Sequence, residues 1–229
     1  MSVCIKDQIQ NMNLVIGCTV GCDYCYARNN VKRYHMIDDF SKPEFYPGKL
    51  RLMEKPRPQN FLLTGMSDLC VWKPEWLEEV LAKMRANPQH QFLFLSKRPD
   101  LLNIDCELDN AWFGVTVTRR ADLWRIDALR KNVRAKHCHV TFEPLFDDPG
   151  EVELRGIDWI VIGTMTGVQS RKVHTEPSWA RSLTDQAHAR KIPVFWKEDL
   201  LPIMGEENMV QELPETFKKV LEEQKAWHR

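Results

Sequence analysis

Short apolar runs alternate with longer amphipathic stretches along the chain. NLVIG (13–17), NFLLTG (60–65), QFLFLS (91–96), WFGVTV (112–117), HVTFEP (139–144), WIVIGT (159–164) and PVFWKE (193–198) are rich in β-branched and aromatic residues. Their hydrophobicity is nearly continuous, which predicts strands covered on both faces, as in a parallel sheet. Between them, helices are predicted over 74–86, 120–133 and 177–190. Pro74 and Pro177 stand at first-turn positions, where a missing N–H is harmless, and Asn87-Pro88 closes the first of these helices. PETFKKVLEEQKAW reads as a last amphipathic helix in a tail from about residue 205.

Repeated strand and helix in one chain points to an α/β fold, and right-handed crossovers wind either an open sheet or a barrel. Without a returning hairpin, the pattern favours a partial (β/α) TIM-like barrel of six to seven parallel strands over a doubly wound sheet. No linker or low-complexity segment divides residues 1–229, so a single domain is expected.

In either arrangement ligands collect at the carboxyl ends of the strands. After the first strand comes GCTVGCDYCYARNN (17–30), with Cys18, Cys22 and Cys25. The second strand ends in Thr64-Gly65-Met66-Ser67-Asp68, the third in Ser96-Lys97-Arg98 and the fourth in Thr116-Val117-Thr118-Arg119. The fifth ends in Glu143-Pro144, the sixth in Gly163-Thr164-Met165-Thr166-Gly167 and the seventh in Lys197-Glu198-Asp199. Small and polar residues also end strands for backbone reasons alone. Their coincidence with three thiols at one rim turns the set toward function.

Composition narrows the classes. At 229 residues and 43% hydrophobic, the chain can build one substantial core. Equal numbers of basic and acidic residues, 32 each, give no general field for polyanions. The opening MSVCIKDQIQNM lacks the apolar stretch of a signal peptide, and no run reaches the roughly 18 apolar residues of a membrane span, so a soluble, cytoplasmic protein is expected. Seven cysteines, three of them clustered, do not make a disulfide framework; they are free or on metal.

Three thiolates suit a four-iron cube held at three corners, leaving one iron for an outside ligand, whereas electron-transfer clusters take four cysteines. The spacing Cys-x3-Cys-x2-Cys, with Gly21 and with Tyr24 before the third cysteine, closely resembles the signature of the radical S-adenosylmethionine (SAM) superfamily. That resemblance implies a partial TIM barrel, a 4Fe-4S cluster on Cys18, Cys22 and Cys25, and SAM bound to the unique iron through its amino and carboxylate groups. It further implies reductive cleavage of SAM to methionine and a hydrogen-abstracting 5'-deoxyadenosyl radical, and an electron donor such as flavodoxin or ferredoxin. Tyr24 matches the aromatic position near the adenine. The stretch holding Thr64, Gly65, Ser67 and Asp68 stands where the superfamily contacts the SAM amino group from a Gly-Gly-Glu-like sequence, with carbonyls, Ser67 or Asp68 as acceptors here. Thr116, Thr118 and Glu143 match rim positions that contact the ribose or methionine carboxylate. Lys97 or Arg119 suits an anionic group, and Gly163 and Gly167 let backbone pass the adenine.

A narrower resemblance follows the order GCTVGCDYCYA, LTGMSDL, FLFLSKRP, WFGVTV, RIDALR, FEPL, IDWIVIGTMTG and PVFWKED. It is similar to a phage and mobile-element branch of radical SAM proteins related to spore photoproduct lyase, which implies a nucleobase or nucleic acid as substrate. Arg120, Arg125, Arg130, Lys131, Arg134 and Lys136 form either a phosphate-binding face or a solvated helix face. Trp72 is the tryptophan best placed to stack a base. Cys70, two residues past Asp68, is either a hydrogen-atom donor to a product radical or a small buried hydrophobe. Cys4, Cys106 and Cys138 are expected away from the rim. Competing readings are an activase or modifier of a peptide or protein partner, a structural zinc site completed by His35 or Cys4, and a non-catalytic iron-sulfur protein.

Overall fold

The computed structural model describes residues 3–167, 170 and 174–227. Seven strands pair side by side in chain order, all parallel: β1 (Gln10–Asn11), β2 (Asn60–Leu62), β3 (Gln91–Ser96), β4 (Ala111–Val117), β5 (His137–Phe142), β6 (Trp159–Ile162) and β7 (Val194–Trp196). The sheet curls into a half-barrel, the expected fold class. Every residue of β4, β6 and β7 is buried, which is what continuous apolar runs demand of strands covered on both faces. The longer helices are α1 (Tyr26–Tyr34), α2 (Pro74–Arg85), α3 (Trp124–Asn132), α4 (Pro177–His188) and α5 (Glu215–Ala226). Pro74 and Pro177 occupy first-turn positions as expected.

Strand alternation divides the core in two. Phe92, Phe94, Phe113, Val140, Phe142 and Ile160 pack outward with Val80 and Met84 of α2, Ile126 and Leu129 of α3, and Leu183 of α4. Leu93, Trp112, Trp159, Val161 and Phe195 point inward and meet Leu213 and Phe217. Phe217 of α5 packs against the rings of Trp112 (4.9 Å between centroids) and Trp159 (5.4 Å). The Asn60 side chain, at the start of β2, donates to the Phe217 carbonyl (3.3 Å). Helix α5 therefore plugs the amino end of the concave face, and functional side chains are left to the carboxyl end.

Within the concave face Gly114 makes room for His139. A Cβ at Gly114 would fall on the imidazole ring. His139 is fully buried, with Nε2 at 3.1 Å from the Phe94 carbonyl. Burial pushes its pKa down to about 4, so the ring is neutral and serves as packing.

Three expectations need correction. The first sheet strand is not 13–17: β1 lies at Gln10–Asn11, and Val15–Ile16 pairs antiparallel with Glu44–Phe45. The apolar run signals burial, and Val15 and Ile16 are buried, but hydrophobicity does not name the partner strand. The tail is helical only from Glu215; before it, Trp196 N donates to Val210 O (2.6 Å) and Glu212 N to Val194 O (2.8 Å), which satisfies the free edge of β7. Cys4 is not remote from the rim. Its thiol donates to Glu198 Oε1 (2.8 Å), just past β7, and Gln10 pairs with Phe61 only six residues later, so this segment spans from β7 to β1.

Gly114→Ala is expected to lower the unfolding free energy by about 1–3 kcal/mol through overpacking against His139, measured by urea titration. In a His139→Ala background the same substitution should cost much less, and an unchanged midpoint in the single variant would contradict the packing described.

Candidate functional site

The thiol loop leaves the core at a glycine that no other residue can replace without movement. Gly17 has φ 113°, and a Cβ there would lie 2.8 Å from Pro43 Cα and 3.0 Å from the Phe40 carbonyl. Gly17 N donates to Met66 O (3.1 Å) and Cys18 N to Phe40 O (2.7 Å), which fixes the first cysteine at the rim. Gly21, at φ 79°, turns the loop back. Cys25 N donates to Cys22 O (3.3 Å), and Cys25 is the N-cap of α1, its sulfur accepting from Arg28 N (3.4 Å). Cys18 Sγ accepts from Val20 N (3.4 Å).

All three cysteines are half-buried and unbridged. Burial pushes the Cys18 thiol up to about 11, and the nearby Asp68, Cys22 and Cys25 act in the same direction. Burial raises Cys22 as well, opposed by the Lys97 ammonium. Metal-free, Cys18 and Cys22 are thiols, and a metal must displace their protons. Among the described residues no three His, Cys, Asp or Glu side chains converge on a single ion.

The loop after β2 forms the floor beneath the thiols. Thr64 is buried and its hydroxyl accepts from Leu95 N (2.8 Å), extending the ladder toward β3. Asp68 is buried and accepts from Cys70 N (3.0 Å), Ser96 Oγ (2.6 Å) and Lys97 N (2.7 Å). Ser67 Oγ accepts from the Trp72 indole (3.0 Å). The Gly65 carbonyl accepts from the Tyr26 hydroxyl, tying α1 to this loop. Gly65 has no space for a side chain, because a Cβ would meet Asn13 Oδ1 at 2.8 Å and Asn11 Oδ1 at 3.2 Å. Asn13 Oδ1 is itself buried and without a hydrogen-bond partner. The Cys70 thiol is half-buried, and burial together with Asp68 holds its pKa well above the ordinary thiol range.

The remaining strand ends complete the mouth. Lys97 lies over the Tyr24 ring (5.9 Å), Tyr24 meets Phe146 edge-on (5.3 Å), and the Arg119 guanidinium lies over Phe146 (4.9 Å). Thr116 is buried with its carbonyl accepting from Arg125 Nη1 (2.7 Å), and Thr118 Oγ1 donates to Asp122 (2.7 Å). Glu143 pairs with Lys197, which also reaches Asp199 (3.6 Å). Gly163 makes that pair fit: a Cβ there would lie 3.0 Å from Lys197 Cδ and 3.2 Å from Glu143 Cδ.

The family described as "protein of unknown function (DUF5131)" matches residues 5–225. The chain belongs to that family. Among solved structures, a spore photoproduct lyase mutant aligns with TM-score 0.51 at 11% identity, covering 80% of this chain and 74% of that one. A spore photoproduct lyase mutant with dinucleoside spore photoproduct aligns with TM-score 0.48 at 12% identity, covering 93% and 71%. At such identity the first likeness shows the fold. No match is found among curated proteins.

In the DUF5131 chain several expected roles change. Asp68 accepts three hydrogen bonds, two on Oδ1 and one on Oδ2, and so braces the loop against the end of β3. Trp72 is 7% exposed and packs on Phe94, so it stacks no base. Arg120, Arg125, Arg130, Arg134 and Lys136 each reach a carboxylate (Asp148, Asp122, Asp127, Asp105 and Asp109), and only Lys131 of that series has no such partner among the described residues. That face is internally neutralised. Conversely, Asn13 and Phe146 enter the mouth without having been singled out, and Lys197 and Asp199, named only as the end of the seventh strand, meet there, Lys197 pairing with Glu143 and with Asp199. Only Lys197 and Asp199 carried a signal, standing at the end of an apolar run. No helix of the described residues is long and apolar enough to cross a membrane.

Burial pushes the Asp199 carboxyl up to about 6, with Glu143 adding to the shift and Lys197 opposing it. A carboxyl raised above its unfolded value stabilises the fold below pH 3.8 and loses that contribution as pH rises through about 6. Asp199→Asn should therefore gain stability over the parent by about 2 kcal/mol between pH 4 and pH 7, measured by urea unfolding at both values. A constant difference at the two pH values would contradict the assignment.

Proposed function

We propose that the chain is a radical SAM enzyme holding a 4Fe-4S cluster on Cys18, Cys22 and Cys25, with SAM across the mouth and residues 1–229 acting as one domain. The observation that carries this reading is a three-thiol loop at the carboxyl rim of a parallel half-barrel, with backbone N–H groups already directed at two of its sulfurs. The donor set fits the group. Structural zinc needs four ligands converging on one ion, a set the described residues do not provide, whereas thiolates on three corners of a cube stand apart around it. When bound, the cluster and SAM supply a hydrogen-abstracting 5'-deoxyadenosyl radical.

The chain's own groups bind and orient. N–H donation from Val20 partly offsets the burial that raises the Cys18 thiol, and Arg28 N donates to the Cys25 sulfur. Lys97, with no carboxylate partner among the described residues, offers its charge to the Cys22 sulfur and to an anionic group of the ligand. Asn13 Oδ1 and Ser67 Oγ stand with Asp68 as acceptors for an amino group, and the Gly65 carbonyl is already engaged by Tyr26. Tyr24 and Phe146 would give adenine an apolar edge, Gly163 admits the Lys197–Glu143 pair beside them, and the second oxygen of Glu143 would accept from ribose hydroxyls. Thr116 and Thr118 line the floor between them. A thiol held protonated by burial retains the S–H bond that hydrogen-atom donation uses, which supports Cys70 as the donor to a product radical.

The substrate class favoured is a nucleobase or nucleic acid. Arg119 on Phe146 at the rim combines a cation with an aromatic face, the pairing that single-stranded nucleic acids use. The likeness to spore photoproduct lyase points the same way.

Anaerobic reconstitution should load about four irons per chain, and Cys22→Ala should lose them while Cys70→Ala keeps them. Full iron in the Cys22 variant, or its loss in the Cys70 variant, would refute the ligand assignment.

A further inference from the structure

We propose that the outer face of α1 is the docking surface for an acidic one-electron donor protein, which passes its electron to the cluster through the ligating loop. This rests on the cluster reading above. Helix α1 begins at Cys25, its N-cap, and buries only Ala27 and Val31, which pack with Ile16 and Met66. Arg28, Asn29, Lys32, Arg33 and Tyr34 are exposed on its outer side, whereas Tyr26 turns its hydroxyl to the Gly65 carbonyl at the mouth. The helix contains no Asp or Glu, and its three cations reach no carboxylate among the described residues. On α3 and its flanks, by contrast, nearly every cation is neutralised by a neighbour. Three cations are thus left along the helix, Arg28 on the Cys22 carbonyl and Lys32 and Arg33 in the last turn.

Helix physics explains part of this charge. Lys32 and Arg33 lie in the last turn, where cations complement the dipole. Arg28 lies in the first turn, where a cation is unfavourable, yet its guanidinium donates to the Cys22 carbonyl and so stands on the ligating loop. Beside these cations Tyr34 is 62% and Met36 39% exposed. Arg, Tyr and Met are the residues enriched at protein interfaces, and a positive patch meets a negative one. Asp23 and Asp38 flank the patch without pairing to it. The exchange balances simply: the donor is oxidised by one electron, the cluster is reduced by one, and no proton need move.

The test uses the full chain with its cluster reconstituted, reduced flavodoxin as the acidic protein donor and dithionite as a small donor. In Lys32→Glu/Arg33→Glu, reduction of the cluster by flavodoxin at low salt should slow by at least about tenfold and lose its dependence on ionic strength. Iron content and the rate with dithionite should match the parent. Equal flavodoxin rates in parent and variant, or equal slowing with both reductants, would overturn the docking surface. A parent chain that takes up no iron would refute the radical SAM reading itself and, with it, this inference.

Discussion

One buried carboxylate holds the mouth in place. Asp68 accepts from Cys70 N, Ser96 Oγ and Lys97 N, joining the loop after β2 to the end of β3. A carboxylate out of water is tolerated only when its oxygens are filled this way. The bond to Lys97 N sets the backbone from which the lysine side chain reaches over Tyr24, between the second and third cysteines. The bond to Cys70 N starts the short 3-10 turn that carries that thiol. The positions of a cation and a thiol at the mouth therefore depend on one side chain.

The two ends of the half-barrel are built for opposite purposes. At the amino end, Trp112, Trp159 and Phe217 fill the concave face with interlocking rings, and the Asn60 amide donates to the Gln8 and Phe217 carbonyls. At the carboxyl end the same inward positions change from aromatic and aliphatic residues to Lys97, Thr118, Glu143 and Lys197. One strand period thus delivers a closed core and a polar mouth. The thiol loop crosses that mouth, anchored by Gly17 at one side and by Tyr26 on the Gly65 carbonyl at the other.

Much of this was legible in residue pattern. The runs 91–96 and 112–117 coincide with β3 and with most of β4, because strands buried on both faces leave no polar alternation. The cysteine spacing marked the rim. What stayed hidden was pairing in space. The bonds that Asp68 accepts from Ser96 and Lys97 join segments far apart in the chain and leave no mark in the sequence. The cations of 120–136 looked free because their carboxylates are scattered from Asp105 to Asp148. Trp72 followed a rim loop but turned inward onto Phe94. Asn13 is a plain residue of the misplaced first strand, and only its orphaned oxygen beside Gly65 distinguishes it.

The central claim is that this mouth cleaves SAM reductively. The most direct measurement is chromatographic detection of 5'-deoxyadenosine after anaerobic incubation of the reconstituted chain with SAM and dithionite. The account predicts 5'-deoxyadenosine and methionine in equal amounts, both absent when Cys22 is alanine. Intact SAM with tightly bound zinc would contradict it and return the three cysteines to a structural role.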